Sequence, residues 1–268
     1  MYIAIDLGGT KTLIGLLDDS GNVVNSIKFP TPTDYKQFLV ELKQNIDTII
    51  GQNNIVAGCM AIPGTLDREK GLIVRLGNLP WGQNIEIKKD VEKFINFPII
   101  IENDANLAGL SEAILVKDTY KKALYVTIST GIGGVFVVDG AIDKDTVNAE
   151  IGHMVFEHDG KVVEWEDMAS GKWITETYGK RASDLEDESA WRTISQNIAV
   201  GFVNLINVLT PDVIIIGGGV GTHLDKFKTI LIEEINKIDP HFAKIPPIIK
   251  AQRPEEAVIY GCYQLIKQ

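Results

Sequence analysis

A chain of 268 residues that is 45% hydrophobic and 23% charged can bury one large core or two modest ones, which excludes a disordered polymer. Its 36 acidic against 26 basic residues leave a net charge of -10, which disfavours nucleic acid and anionic membrane and points to small ligands held by local donors. The two cysteines, Cys59 and Cys262, stand apart in apolar surroundings, as buried thiols do. No apolar run approaches the roughly 18 residues of a spanning helix, so a cytoplasmic, unexported protein is expected.

The chain opens with an apolar strand at 2–6, turns at Gly8-Gly9, returns as a strand at 13–17, and turns again through Asp18 to Asn22 into 23–29. This meander matters, because a Walker-type phosphate loop runs from strand into helix and ends in Gly-Lys-Ser/Thr. From Asp34 onward Phe38, Leu39, Leu42, Ile46, Ile49 and Ile50 recur at helical spacing. A strand at 55–62 ends in Pro63-Gly64, and Asn78 to Gly82 form a breaker-rich loop. A short helix at 85–94, a strand at 98–102 and a helix after Asp104 follow.

The second half repeats the opening. A strand at 123–128, the turn Ser129 to Gly134 and a strand at 135–138 again form a hairpin around glycines, which predicts a duplicated unit. Residues 139–190 are the least regular, and the acidic run Asp184 to Glu188 reads as a solvated loop. A long helix at 193–209 stops before Pro211, a buried strand at 212–216 delivers Gly217-Gly218-Gly219, and a terminal helix from 255 is expected to pack on the first lobe.

Two glycine turns flank an acid. Asp104 follows an apolar strand at the start of a helix, where an Asp serves as an N-cap or, in a phosphoryl-transfer site, as a base. Gly8, Gly9 and Thr10 bring backbone N–H groups and a hydroxyl that suit phosphate, as do Thr130 and Gly131. Glycines in tight hairpins have a purely conformational reading as well. The run Gly217 to Gly219 is a poor dinucleotide fingerprint, because Thr222 stands where a third glycine is required.

Taken in order, Asp6-Leu-Gly-Gly-Thr-Lys11, Pro63-Gly64, Asn78-Leu-Pro-Trp81, Glu102-Asn-Asp-Ala-Asn106, Ser129 to Gly134, Glu150-Ile-Gly-His153, Glu166 before Ala169-Ser-Gly171, and Gly217-Gly-Gly-Val220 resemble the ROK family of repressors and sugar kinases. The resemblance implies an α/β, two-lobed actin-like ATPase (ribonuclease H-like) fold, with residues 1–112 and 255–268 in one lobe, 113–254 in the other, and nucleotide and sugar in the cleft.

It implies ATP and Mg²⁺ as cofactors and a hexose as partner. Asp104 is then the general base and Asp6 the Mg²⁺ acid, acting through water. Gly8, Gly9, Thr10, Lys11, Thr130, Gly131, Gly218 and Gly219 face the nucleotide; Gly64, Asn78, Asn103, Asp104, Glu150, His153 and Glu166 face the sugar. A hexose offers hydroxyls that donate and accept, which carboxylates, amides and an imidazole match.

The chain departs from the family pattern in one respect that bears on the site. Between His153 and Glu166 most of the family carries three cysteines that bind a structural zinc with the histidine; here none occurs, so no zinc site of that kind is expected. Trp81 is left as wall or core, and His158, His223 and His241 as surface or capping residues.

The expected activity is phosphorylation of glucose by a homodimeric enzyme of carbohydrate metabolism (glycolysis). Alternative acceptors are fructose, mannose and an N-acetylhexosamine, and polyphosphate is an alternative donor. A sugar-sensing regulator would place a DNA-binding segment ahead of Asp6, and the acidic chain speaks against it.

Overall fold

The computed structural model describes residues 1–76, 79–238, 244–253 and 256–268. The chain divides into two compact units, residues 1–111 with 255–268 and residues 112–254.

In the first unit β1 (Tyr2–Leu7), β2 (Lys11–Leu17) and β3 (Val23–Pro30) form the meander, and α1 (Tyr35–Ile50) follows. Asp34 starts this helix by accepting a 2.9 Å hydrogen bond from Gln37 N. The helix buries Phe38, Leu42, Ile46 and Ile49, each contributing roughly 1.5–3 kcal/mol. Then come β4 (Ala57–Ile62), β5 (Thr65–Asp67), β6 (Leu72–Arg75), β7 (Gln83–Ile85), α2 (Ile87–Glu92), β8 (Ile99–Asn103) and α3 (Asp104–Val116).

The main sheet has the order β3-β2-β1-β4-β8, antiparallel on the β2 side of β1 and parallel on the β4 side. Alternation along β1 divides its side chains. Ile3, Ile5 and Leu7 join the larger core with α1, while Tyr2 and Ala4 face Ile259, Cys262 and Tyr263 of the C-terminal helix Ala257–Ile266. Asp6 shares the second face.

In the second unit β9 (Lys122–Ile128), β10 (Ile132–Val138) and β11 (Ala141–Ile142) form another meander. Next are β12 (Val155–His158), β13 (Lys161–Glu164), α4 (Glu166–Ala169), α5 (Gly171–Tyr178) and α6 (Glu188–Leu209). The unit closes with β14 (Val213–Gly217), the single turn α7 (Gly218–Gly221), α8 (Leu224–Ile238) and β15 (Ile248–Lys250). Its sheet runs β11-β10-β9-β14-β15, with the same antiparallel and parallel sides about β9 that the first sheet has about β1. One topology is thus used twice.

Several elements differ from the sequence expectation. The helix read at 193–209 begins at Glu188, because Asp187 accepts from Ser189 N at 2.8 Å and caps it; the acidic run is therefore partly a helix start. The loop between β4 and β8 contains the small sheet β5-β6-β7, and the irregular region contains the β12–β13 hairpin. Strands of three or four residues carry too little alternation to register as period-two patterns. Asn78 and His241 lie outside the described residues. No helix among the described residues is long and apolar enough to cross a membrane.

Candidate active site

In the first unit the β1–β2 turn is held by its own backbone and by a residue beyond the hairpin. Gly8 N donates to Lys11 O at 3.1 Å, and a Cβ at Gly8 would lie 2.7 Å from that oxygen. Thr31 N donates to Thr10 O at 2.9 Å, and the Thr31 hydroxyl donates to Gly8 O at 2.7 Å. Because that proton is committed, the 2.9 Å contact between Thr12 and Thr31 hydroxyls has Thr12 as donor. Thr10 and Lys11 are left exposed at the tip. Thr31 was not singled out from the sequence, where its only mark is a place between Pro30 and Pro32.

Asp6, at the end of β1, is half-buried, and its pKa is pushed up to about 7 by burial first and then by the charge of Asp104, with Lys28 pulling the other way. The strand end and the start of α3 therefore bring two carboxyl groups into electrostatic contact.

The turn from β8 into α3 is tightly organised. Asn103 Oδ1 accepts from Ala105 N at 2.9 Å and Asn106 N at 3.2 Å and so caps the helix, and Asp104, in the first turn, accepts from the same Ala105 N at 2.8 Å through its Oδ1. Asn103 Nδ2 donates to Gly64 O at 3.0 Å. Gly64 has φ 88° and a Cβ there would sit 2.3 Å from Arg75 O, so only glycine fits the turn that presents this carbonyl.

Beneath lies Glu102, 5% exposed, which accepts from Arg68 Nε at 2.8 Å, from Asn106 Nδ2 at 2.9 Å and from Asn103 N at 2.7 Å, with Arg68 Nη2 as a further donor. Arg68 was missed from the sequence because it lies between two short strands of the unread small sheet. Trp81 packs on Tyr35 and Phe38, with ring centroids 5.0 and 5.2 Å away, and its Nε1 donates to Pro32 O at 3.0 Å; it anchors the loop.

In the second unit three glycines let the β9–β10 turn, the 3₁₀ turn Ile151–His153 and the starts of α4 and α5 close on one another. A Cβ at Gly131 would lie 2.5 Å from Glu166 Oε2, one at Gly152 2.1 Å from Ile132 O, and one at Gly171 2.6 Å from Ser129 O. Glu166 Oε2 accepts from Ile132 N at 3.1 Å, and Gly171 N donates to Ser129 O at 2.6 Å. Thr130 is exposed at the turn.

Glu150 precedes the 3₁₀ turn, its carbonyl accepting from His153 N at 3.0 Å. His153 Nδ1 meets Glu164 Oε2 at 2.6 Å, and this hydrogen bond, with the charges of Glu164, Glu166 and Glu150, raises the imidazole pKa against a smaller opposing effect of burial. One ligand atom from each of His153, Glu164 and Glu166 lies within 4.8 Å of the others, a donor set that suits a cation, although these side chains already have the protein partners just described.

Beyond β14, Gly218 has φ 77° and a Cβ there would meet Ile128 O at 2.5 Å, whereas a Cβ at Gly219 would meet nothing within 4 Å. His158 is at the β12–β13 turn, its Nε2 3.8 Å from Asp159.

Two sheets of one strand order, each with a glycine-rich turn after its first strand, make this an actin-like ATPase fold of α/β class. The sequence matches the ROK family over residues 2–268, and the chain belongs to that family. A glucokinase of Streptomyces coelicolor is 23% identical, covering 100% of this chain and 98% of that protein. An N-acetyl-D-glucosamine kinase of Haemophilus influenzae is 28% identical, covering 99% of each. The crystal structure of a ROK family glucokinase from Streptomyces griseus with glucose and AMPPNP is 20% identical and superposes with a TM-score of 0.80 over 98% of each chain. The protein is a phosphotransferase of the hexokinase type, with an alcohol group as acceptor.

Proposed function

We propose that the chain transfers the γ-phosphoryl group of ATP to a hydroxyl of a hexose, glucose in the first instance, with Asp104 accepting the hydroxyl proton. The observation that carries this reading is the approach of Asp104, in the first turn of α3, to Asp6 at the end of β1. Asn103 Oδ1 caps the helix through Ala105 N and Asn106 N, Asp104 Oδ1 also accepts from Ala105 N at 2.8 Å, and in this position Asp104 stands close enough to Asp6 to perturb it. A helix N-terminus favours negative charge in its first turn, which suits a base.

Asp6 is the residue we assign to Mg²⁺. A carboxyl held above its ordinary pKa by burial and by a like charge is one that a hard divalent cation would ionise, so the donors fit. Bound there, Mg²⁺ would neutralise phosphate charge. The exposed tip of the first turn, with Gly8, Gly9, Thr10 and Lys11, is assigned to phosphates, as are Thr130 and Gly131 of the second. Gly219, where added bulk would meet only open space, is assigned with Gly218 to the adenosine.

Asn103, Glu150, His153 and Glu166 are assigned to sugar hydroxyls, together with Gly64 and Asn78. Gly64 acts through its carbonyl on Asn103. An N-acetylhexosamine is the second acceptor to consider, because the N-acetylglucosamine kinase is 28% identical against 23% for the glucokinase. We place the enzyme in cytoplasmic carbohydrate metabolism as a homodimer, which sedimentation of the purified protein checks.

The test is a coupled assay over glucose, fructose, mannose and N-acetylglucosamine, with ATP and with polyphosphate as donors. Turnover of glucose with ATP and Mg²⁺ is expected, and no turnover of any hexose sinks the reading. Asp104→Asn is expected to lower kcat by about 10²–10⁴ while sugar affinity stays within about twofold, the loss that general-base removal causes. An unchanged kcat removes Asp104 from its role.

A further inference from the structure

The β12–β13 ladder continues past its last paired strand residues. Val155 pairs with Glu164, and Trp165 N donates to Met154 O at 2.8 Å, so the pairing runs on toward His153 and Glu166. Alternation then sorts the side chains. Met154, Phe156, Val163 and Trp165 face the core of the unit, and His153, Glu164 and Glu166 share the opposite face.

Trp165 fixes this segment. It is fully buried, its Nε1 donates to Asn197 O at 3.0 Å, and it lies edge-on to Phe202 at 5.8 Å in a space that Gly201 keeps open, since a Cβ there would be 2.1 Å from the indole. The flanking carboxylates, Glu164 and Glu166, are thereby held on a rigid support. Glu166 is tied to Ile132 N, and Glu164 reaches His153 Nδ1 at 2.6 Å.

We propose that Glu164 is the positioning residue for His153. Its carboxylate only accepts, so Nδ1 must carry a proton, and Nε2 is the ring atom turned toward the sugar. The chain thus braces its sugar-binding imidazole with a side chain of its own, seated on Trp165. This rests on the sugar-kinase reading for its kinetic consequence and on the hydrogen bond alone for its structural one.

The experiment compares wild type with Glu164→Ala, Glu164→Thr and Glu164→Gln; Thr is a good strand residue, so a single misfolded deletion does not decide the outcome. In the Ala and Thr variants the sugar KM is expected to rise about tenfold, with kcat within about threefold and the ATP KM unchanged. Gln keeps an acceptor oxygen and is expected to restore the sugar KM to within about threefold of wild type.

The ring is read directly by ¹⁵N NMR of histidine-labelled protein, with His153→Gln assigning its signals among the four histidines. Wild type is expected to show protonated Nδ1, and the Ala variant a mixture of tautomers. A sugar KM unmoved in both deletions, equal losses in Gln and Ala, or an unchanged ring signal overturns the proposal. So does loss of sugar affinity on treatment with a zinc chelator that zinc restores, because Nδ1 would then be held by a metal. Wild-type protein inactive on every hexose would instead count against the proposed function, and the ring signal would still decide the link between Glu164 and His153.

Discussion

Asp6 shows at the scale of one residue what the fold imposes on a carboxyl group. An unfolded aspartate titrates near 3.8, and here the native pKa is about 7, so over that interval the folded protein holds a proton that the unfolded chain has released. Stability is therefore highest below the lower value and is lost as pH rises to the upper one. Asp6→Asn removes this titration, and its gain in stability over wild type is expected to grow between pH 4 and pH 7 and level at about 1–2 kcal/mol, below the full linkage value because the group is partly wet. Thermal melts without divalent cation, taken across that range, measure it. A gain that is flat with pH would show that Asp6 is not the titrating group.

Arg68 and Glu102 make a different case, a buried carboxylate paired with a guanidinium and given hydrogen-bond donors on both oxygens. Arg68→Ala leaves that charge without its cation, and since Arg68 is itself 24% exposed a loss of about 2–4 kcal/mol is expected. Adding Glu102→Gln is expected to recover part of it, and chemical denaturation of the two single variants and the double closes the cycle. Additive losses would mean that the pair does not interact in solution.

Among the elements, α6 and the turn after β14 each depend on glycine for different reasons. Gly201 on α6 makes room for Trp165, so Gly201→Ala overpacks a filled site and is expected to cost about 1–3 kcal/mol. The sugar KM is expected to rise with it, because Trp165 carries Glu164 and Glu166. Gly219 is the opposite case: its surroundings are open, and Gly219→Ala is expected to leave stability within about 0.5 kcal/mol while raising the KM for ATP and sparing that for sugar. Denaturation curves beside substrate titrations distinguish the two, and an unchanged ATP KM in Gly219→Ala would detach this turn from the nucleotide.

On the scale of the whole molecule, one sheet topology serves twice and each copy delivers a glycine turn from its first hairpin. If the chain acts as proposed, a binding sugar stabilises it by mass action. Glucose at one hundred times its Kd is expected to add about 2.7 kcal/mol, a rise in Tm of roughly 5–10 °C for a chain of this size. A panel of glucose, fructose, mannose and N-acetylglucosamine, each with and without ATP, ranks the acceptors by that shift. No shift with any of them would leave the assigned sugar residues without a ligand.

What the sequence determined by itself was whatever rests on local pattern: the two meanders, the amphipathic helix after Asp34, the strand that delivers Asp104, and the family motifs in their order. Periodicity and turn chemistry act over a few residues, so they are visible in one dimension. The tertiary structure decided which neighbour does which task, because that depends on groups distant along the chain. It oriented Asn103 by setting Gly64 against it, engaged Glu102 with Arg68 from a sheet too short to read, raised the pKa of Asp6 by burying it and bringing it near Asp104, and turned Glu164, an unremarked acid, onto the ring of His153.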